Sequence, residues 1–208
     1  MLKLPVLIAG AVVLLLVVNQ HAVHAGPRAV TSLLEMRHDR VVIQGYDLSC
    51  GAAALATILN FEHQDPIGEK EIALGLMERD EYINQPHLVR ARHGFSLLDL
   101  QRFVDGRGYQ GVGLGNLTLE DLVERAPIMT PVNFKGYNHF VVFRGMAGNR
   151  VLLADPAFGN LTMPASAFED GWLDYPNVGR VGFIVTRVDG SRPPNPLEPR
   201  PSDFVSLR

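Results

Sequence analysis

The chain has 208 residues, of which 47% are hydrophobic and 20% are charged, a composition that indicates a globular protein rather than a disordered or fibrous one. The net charge of −3, from 19 basic and 22 acidic residues, argues against a nucleic-acid-binding surface. A single cysteine excludes an internal disulfide and a cysteine-rich zinc site. We therefore expect a globular domain with no nucleic-acid partner.

Residues 1–25 have the pattern of a secretory signal peptide. A lysine at position 3 precedes an uncharged apolar run over residues 4–18, and small residues lead up to Gly26. The run has 15 residues, which is short of the roughly 20 that span a bilayer. The pattern predicts export and cleavage after Ala25. The alternative is an uncleaved N-terminal anchor, which would associate the protein with the membrane.

The first half of the remaining chain has the apolar spacing of helices. In the second predicted helix, Leu55, Ile58 and Leu59 share one face, and four alanines stand among the other positions. Ser96 is placed to cap the start of the fourth predicted helix. The predicted helices cover residues 29–37, 50–61, 69–79, 96–106 and 119–125.

After Pro127 the pattern changes to that of strands, predicted over residues 128–134, 139–143, 150–154 and 180–188. Helices followed by an antiparallel sheet indicate the α+β class. Residues 191–208 hold five prolines among polar residues, which predicts an extended tail after a domain over residues 26–190.

Cys50 stands in the first turn of its predicted helix. Backbone N–H groups at a helix start favour the thiolate, and Gly51 would let a substrate backbone come close. Gln44, six residues earlier, could donate its amide to an oxyanion beside the thiol. The alternative for Cys50 is a buried, inert thiol.

His139 opens one predicted strand, and Asp155 closes the next. A three-residue loop centred on Ala147 would make them direct cross-strand neighbours on one face, so that the carboxylate orients the imidazole. A two-residue turn of Gly148 and Asn149 would place them on opposite faces instead.

A thiol, a histidine, a carboxylate and an amide donor are the components of a papain-like cysteine peptidase. The segment QGYDLSCGAAALA, residues 44–56, resembles the cysteine motif of the C39 peptidase family. HFVVFRG at 139–145 and VLLADPAFG at 151–159 resemble its histidine and aspartate motifs.

This resemblance implies a papain-like fold, with a helical half packed on an antiparallel sheet, over the domain at 26–190. It implies Cys50 as nucleophile, His139 as general base, Asp155 as the residue that orients His139, and Gln44 as oxyanion donor. It also implies a polypeptide substrate, without a cofactor or a metal ion.

Two features set the chain apart from the usual family pattern. Ser49 replaces the aspartate that usually precedes the nucleophile, and the chain carries no membrane domain and no nucleotide-binding loop. It is similar instead to stand-alone exported members, including the one found with the functional-amyloid (Fap) secretion system of bacteria. We expect cleavage of an exported polypeptide at Gly or Ala, in the periplasm, within a secretion or biofilm pathway. The alternatives are a non-cleaving binding module and an acyl transferase on the same residues.

Overall fold

The computed structural model describes residues 32–85, 87–91, 94–134, 136–193, 196–200 and 203–204. The segment predicted as a signal peptide or anchor, residues 1–25, lies outside the described residues. Within them, no helix combines the length and the apolar character needed to cross a membrane.

Three of the helices begin with a capping box, in which Ser32, Ser96 or Thr118 accepts from a backbone N–H three residues later. Helix α2 is apolar on all sides and is buried over its first ten residues, which places it in the core of the domain. The helices of the described chain are α1 (Leu33–His38), α2 (Cys50–Phe61), α3 (Glu69–Met77), α4 (Asp80–Asn84), α5 (His87–Ala91), α6 (Leu97–Gly106), α7 (Leu119–Arg125) and α8 (Ala165–Gly171).

The strands of the described chain are β1 (Tyr109–Leu114), β2 (Ile128–Phe134), β3 (Tyr137–Ala147), β4 (Arg150–Asp155), β5 (Gly159–Pro164), β6 (Asp174–Tyr175), β7 (Gly179–Arg180) and β8 (Gly182–Arg187). Six of them form one antiparallel sheet with the order β1-β8-β2-β3-β4-β5. The short strands β6 and β7 pair separately.

Two apolar cores lie on opposite faces of the large sheet. Val142 of β3 packs in the core that contains Leu55 of α2, whereas its neighbours Val141 and Phe143 pack in the core that contains Phe168 of α8. Because successive side chains of a strand point to opposite faces, the sheet has helices on both sides. The predicted α+β class and the helical half packed on an antiparallel sheet are confirmed.

Several predicted elements have the bounds found in the structure, namely the helices over 50–61 and 119–125 and the strand over 128–134. Strand β3 is longer than predicted. Strands β1 and β5 are not among the predicted strands.

The turn between β3 and β4 differs from the predicted one. The pairing of the two strands leaves Gly148 and Asn149 alone in the turn, so the prediction of a three-residue loop centred on Ala147 is wrong. A two-residue turn by itself would place His139 and Asp155 on opposite faces of the sheet.

A β-bulge compensates for the shorter turn. The register shifts by one residue between Phe143 and Gly145, which leaves Arg144 as an extra residue in β3. Beyond the shift, His139 and Asp155 lie on the same face, as diagonal neighbours rather than directly opposite residues. The predicted direct pairing is therefore wrong, while the shared face is present.

The described residues of the proline-rich tail pack on this bulge. The Arg144 guanidinium donates to the carbonyl of Leu197 at 2.9 Å and to the carboxylate of Asp203 at 2.7 Å. Leu197, Asp203 and Phe204 are all fully buried. The tail thus contributes to the core, while the domain boundary at residue 190 stays a prediction.

Candidate active site

Cys50 begins helix α2, with Ser49 as the N-cap residue. The cysteine is only 3% exposed and lies in the wall of a cleft that His139 also lines. The backbone N–H of Phe140 faces the sulfur of Cys50 and lowers the pKa of the thiol. The fold therefore brings the candidate nucleophile beside the strand residue that directly follows the candidate base.

The start of the helix does not make the Cys50 thiol acidic. Burial is the largest influence and raises the pKa of the thiol above its ordinary value. The N–H groups of Phe140 and Gly51 lower this pKa by less, and the charge of Asp155 raises it further. The N–H groups at the helix start therefore favour the thiolate as expected, but burial outweighs them and the pKa of Cys50 is raised overall. A raised pKa gives a neighbouring base a role in removing the proton.

His139 and Asp155 form a buried pair at the ends of their strands. His139 Nε2 lies 3.2 Å from Asp155 Oδ2, although the angle does not make a hydrogen bond, and the two side chains are 2% and 0% exposed. Catalytic hydrogen bonds are often poorly aligned before substrate binds. Nε2 faces the carboxylate, and His139 Nδ1 has no hydrogen-bond partner among the described residues.

The other oxygen of Asp155 organises the chain after β4. Oδ1 accepts from the backbone N–H groups of Ala157 at 2.7 Å and Phe158 at 3.2 Å. Asp155 thus uses its two carboxylate oxygens for two tasks. One fixes the turn that follows the strand, and the other faces the imidazole.

Gln44 is connected to the same region through its backbone, because its N–H donates to the carbonyl of Pro156 at 2.8 Å. Its side-chain Nε2 donates to the carbonyl of Tyr46 at 3.4 Å, which is long for a hydrogen bond. Its Oε1 is buried without a hydrogen-bond partner in the described part of the chain. The amide also hydrogen-bonds Tyr137, so donation to a ligand would replace its contact with Tyr46 or with Tyr137.

Tyr137 is a residue of this site that the sequence analysis misses. The centroid of its ring lies 5.4 Å from that of His139. Burial and then the charge of Cys50 raise the pKa of Tyr137, while a hydrogen bond from Gln44 opposes the rise. Tyr137 precedes His139 by two positions on β3 and shares its face. Because alternate side chains of a strand share a face, the position of Tyr137 two residues before His139 is the signal that could have identified it.

The two neighbours of the nucleophile, Ser49 and Gly51, each help to hold the start of α2 in place. Ser49 makes no capping bond to the helix; its single Oγ–H is shared between the carbonyl of Tyr46, at 2.6 Å, and the carboxylate of Glu69. A Cβ added at Gly51 would lie 3.3 Å from the ring of Phe140. The missing side chain of Gly51 therefore allows α2 to pack closely on β3, while the approach of a substrate backbone stays a prediction.

A cleft of about 610 Å³ opens beside Cys50 and His139. No Asp, Glu, Lys or Arg occurs among its described lining residues. Its walls are mostly apolar, as expected of a site for an uncharged segment of a ligand. They include Phe95, Leu97, Phe140, Leu173 and Val181.

A cysteine at the start of a core helix, beside a strand-borne histidine and aspartate, defines the site of a papain-like cysteine peptidase. The model of the peptidase C39 family matches residues 38–176, and the chain belongs to this family. The resemblance stated from the motifs is confirmed.

Two curated relatives carry the name "Probable functional amyloid protease FapD", one from Pseudomonas aeruginosa and one from Pseudomonas fluorescens. Each is 35% identical to this chain over 147 residues. The match covers 70% of this chain but 62% of the relatives, so it spans less than two thirds of their length.

Solved structures share the fold at lower identity. A double glycine motif protease from an AMS/PCAT transporter, in complex with its leader peptide, has a TM-score of 0.56 at 23% identity, covering 71% of this chain and 91% of its own. The peptidase domain of Streptococcus ComA, a bifunctional ABC transporter, has a TM-score of 0.54 at 15% identity, covering 72% and 99%. The predicted papain-like fold is thereby confirmed.

Proposed function

We propose that this protein is a cysteine endopeptidase that cleaves an exported polypeptide outside the cytoplasm. The observation that carries the proposal is the buried pair of His139 and Asp155, 3.2 Å apart, beside a cleft that also holds Cys50, the one cysteine of the chain. Burying ionisable groups rarely stabilises a fold, so such a pair in a cleft favours a catalytic role.

In the proposed mechanism, His139 Nδ1 takes the proton of Cys50 as the sulfur attacks the scissile carbonyl carbon. The carbonyl oxygen becomes an oxyanion, to which the side-chain amide of Gln44 donates. The C–N bond then breaks, and His139 returns the proton to the leaving amine. Water, activated by the same imidazole, hydrolyses the thioester and releases the acid. Asp155 keeps the imidazole oriented and stabilises its charged form.

The proposed substrate is an unfolded, co-exported polypeptide of a secretion or functional-amyloid pathway. The signal-peptide pattern of residues 1–25 supports export to the periplasm. The name of the two curated relatives, functional amyloid proteases, supports the kind of pathway. An uncleaved N-terminal segment would keep the enzyme at the membrane where the polypeptide emerges.

The proposed cleavage site has Gly or Ala on the side of the attacked carbonyl. Cys50 is 3% exposed and is flanked by Phe140, so a bulky residue would hold the carbonyl away from the sulfur. A double glycine motif protease shares the fold, which is consistent with this preference. The apolar cleft would bind residues farther from the cut.

The proposal is tested with the purified protein and a proteome-derived peptide library, with the new termini read by mass spectrometry. We expect new C-termini that end mainly in Gly or Ala, and none with Cys50→Ala or His139→Ala. Asp170→Ala, an exposed carboxylate change in α8, is the matched control and should cleave normally. Identical termini from wild type and Cys50→Ala would refute the mechanism.

Acyl transfer to an amine would use the same acyl-enzyme, so the library assay is repeated with added hydroxylamine. Product masses that match the free acid in plain buffer support hydrolysis. A peptide that binds, as judged by fluorescence anisotropy, but is never cut would instead support a binding module and contradict the proposal.

A further inference from the structure

The loop of residues 45–49 joins the candidate oxyanion donor, Gln44, to the candidate nucleophile, Cys50. It contains no regular secondary structure, and Leu48 adopts a left-handed conformation with φ of 64°. Such a loop has little stability of its own, so something outside it must hold its shape.

One buried carboxylate contacts this loop at three residues. Glu69, the first residue of α3, is 8% exposed. It accepts from the N–H of Gly45 at 2.8 Å to Oε2 and 3.1 Å to Oε1, and from the N–H of Tyr46 at 3.4 Å. The Oγ of Ser49 donates to Oε1 as well. The bonds therefore reach both ends of the loop.

We propose that Glu69 is a positioning residue, which sets the distance between the Gln44 amide and the Cys50 sulfur by holding the loop between them. The inference rests on the proposed function, because it assigns Glu69 a role in that same reaction. Glu69 touches neither substrate nor reacting atoms and acts through Gly45 and Ser49.

A carboxylate suits this position because all three loop groups donate. Ionised Glu69 offers two oxygens that only accept, whereas a glutamine would turn an NH₂ group toward one of the donors. The first turn of α3 also favours an anion at this place, since its backbone N–H groups carry partial positive charge. Nothing in the sequence distinguishes Glu69 from other acidic residues in the first turn of a helix.

The loss of this contact should change turnover more than binding. A displacement of about 1 Å between reacting groups costs roughly 10²-fold in rate. We expect Glu69→Gln to lower kcat by roughly tenfold to 10²-fold with KM nearly unchanged. The matched control is Glu71→Gln, a carboxylate two residues later on the same helix that is 66% exposed, and it should leave both constants unchanged.

A second measurement does not depend on catalysis. Cys50 is the only cysteine, so iodoacetamide labels it alone, and mass spectrometry gives the rate. Because Cys50 is nearly buried, a loosened loop should expose it, and we expect Glu69→Gln to be alkylated several-fold faster than wild type while turning over more slowly. Opposite changes in these two rates distinguish lost positioning from a change in thiol chemistry, which would move both together.

Ser49→Ala provides a milder variant in case Glu69→Gln folds poorly, since it removes one donor and leaves the carboxylate in place. It should show a smaller fall in kcat and a smaller rise in the alkylation rate.

The rescue test moves the carboxylate from position 69 to position 49. Ser49→Asp alone sets two carboxylates against each other and should lower kcat, whereas adding Glu69→Gln should recover much of it.

Unchanged kcat and unchanged alkylation in both Glu69→Gln and Ser49→Ala would overturn the inference. If the wild-type protein cleaves no peptide, the proposed function fails, but the alkylation rates still decide whether Glu69 holds the loop. The two failures are therefore distinguishable.

Discussion

Arg144 and Asp203 form a fully buried ion pair, in which Nη2 of the arginine lies 2.7 Å from Oδ2 of the aspartate and neither side chain is exposed. Burial lowers the pKa of Arg144 to about 10. Burial alone would raise the pKa of Asp203, but the backbone N–H of Arg200 and the charges of Arg144 and Arg40 hold it below its ordinary value. The extra residue of the β3 bulge is thus held by a residue of the tail.

The first prediction is that Asp203→Ala destabilises the fold strongly. The substitution leaves the Arg144 charge buried without its carboxylate, and breaking a buried pair from one side costs about 3–5 kcal/mol. Urea unfolding, followed by circular dichroism, measures the free energy of unfolding. Asp170→Ala, at an exposed position, should change it by less than about 0.5 kcal/mol. A loss equally small for Asp203→Ala would show that the tail contributes little.

The same pair explains why the hairpin could not be predicted from sequence. The pattern of the strands and the Gly148–Asn149 turn are local signals, and the two-residue turn was an open alternative. The bulge at Arg144 is not local, because its guanidinium requires a carboxylate 59 positions later in the chain. No spacing rule connects those two residues, and the register shift at Arg144 is what places Asp155 on the face of His139.

Local signals sufficed for the elements that carry the site. The alanine- and leucine-rich helix beginning at Cys50 and strand β2 have the predicted bounds, since their propensity and apolar pattern agree. Strand β1 escaped prediction because Gly111 and Gly113 weaken the strand signal. The structure explains Gly111, since a Cβ there would lie 2.9 Å from the Cα of Gln101 in α6.

The second prediction concerns the pH dependence of Cys50. Burial raises the pKa of its thiol, so the reactive thiolate should be scarce at neutral pH in the absence of substrate. We expect the iodoacetamide alkylation rate to rise with pH, with a midpoint above the ordinary cysteine value of about 8.5. Free cysteine in the same buffer is the reference. A midpoint well below that of the reference would show that burial does not dominate the pKa of Cys50.

The third prediction is that Asp155→Asn has an intermediate effect on activity. The carboxylate uses Oδ1 for the turn at Ala157 and Oδ2 for His139, but an asparagine has only one oxygen. The asparagine can therefore keep the contact with Ala157 or the contact with His139, but not both. We expect kcat/KM to fall by less than the roughly 10²–10⁴-fold that the loss of a general base costs, which His139→Ala should show. An Asp155→Asn enzyme as active as wild type would remove Asp155 from the mechanism.

The fourth prediction assigns the loss in Gln44→Ala to the transition state. An oxyanion donor contributes about 10²–10³-fold to turnover and little to substrate binding. We therefore expect kcat to fall by that amount with KM nearly constant. Gln44→Glu, which cannot donate when ionised, should be similarly impaired. Normal turnover in both variants would leave Gln44 with a structural role only, through its backbone contact with Pro156.

The fifth prediction concerns the residue whose carbonyl is attacked. The test uses four peptides that differ only at this residue, which is Gly, Ala, Val or Phe. Their kcat/KM values report how closely each carbonyl can approach Cys50. Cys50 is 3% exposed and its sulfur lies beside the backbone of Phe140, so each added carbon should push the substrate backbone outward. Overpacking of about 1–3 kcal/mol corresponds to a fall in kcat/KM of roughly tenfold to 10²-fold from Gly to Phe. The same substitutions placed six residues before the cut should matter far less, because that residue lies away from the attacking sulfur. Equal cleavage of the Gly and Phe peptides would show that burial of Cys50 does not select the substrate.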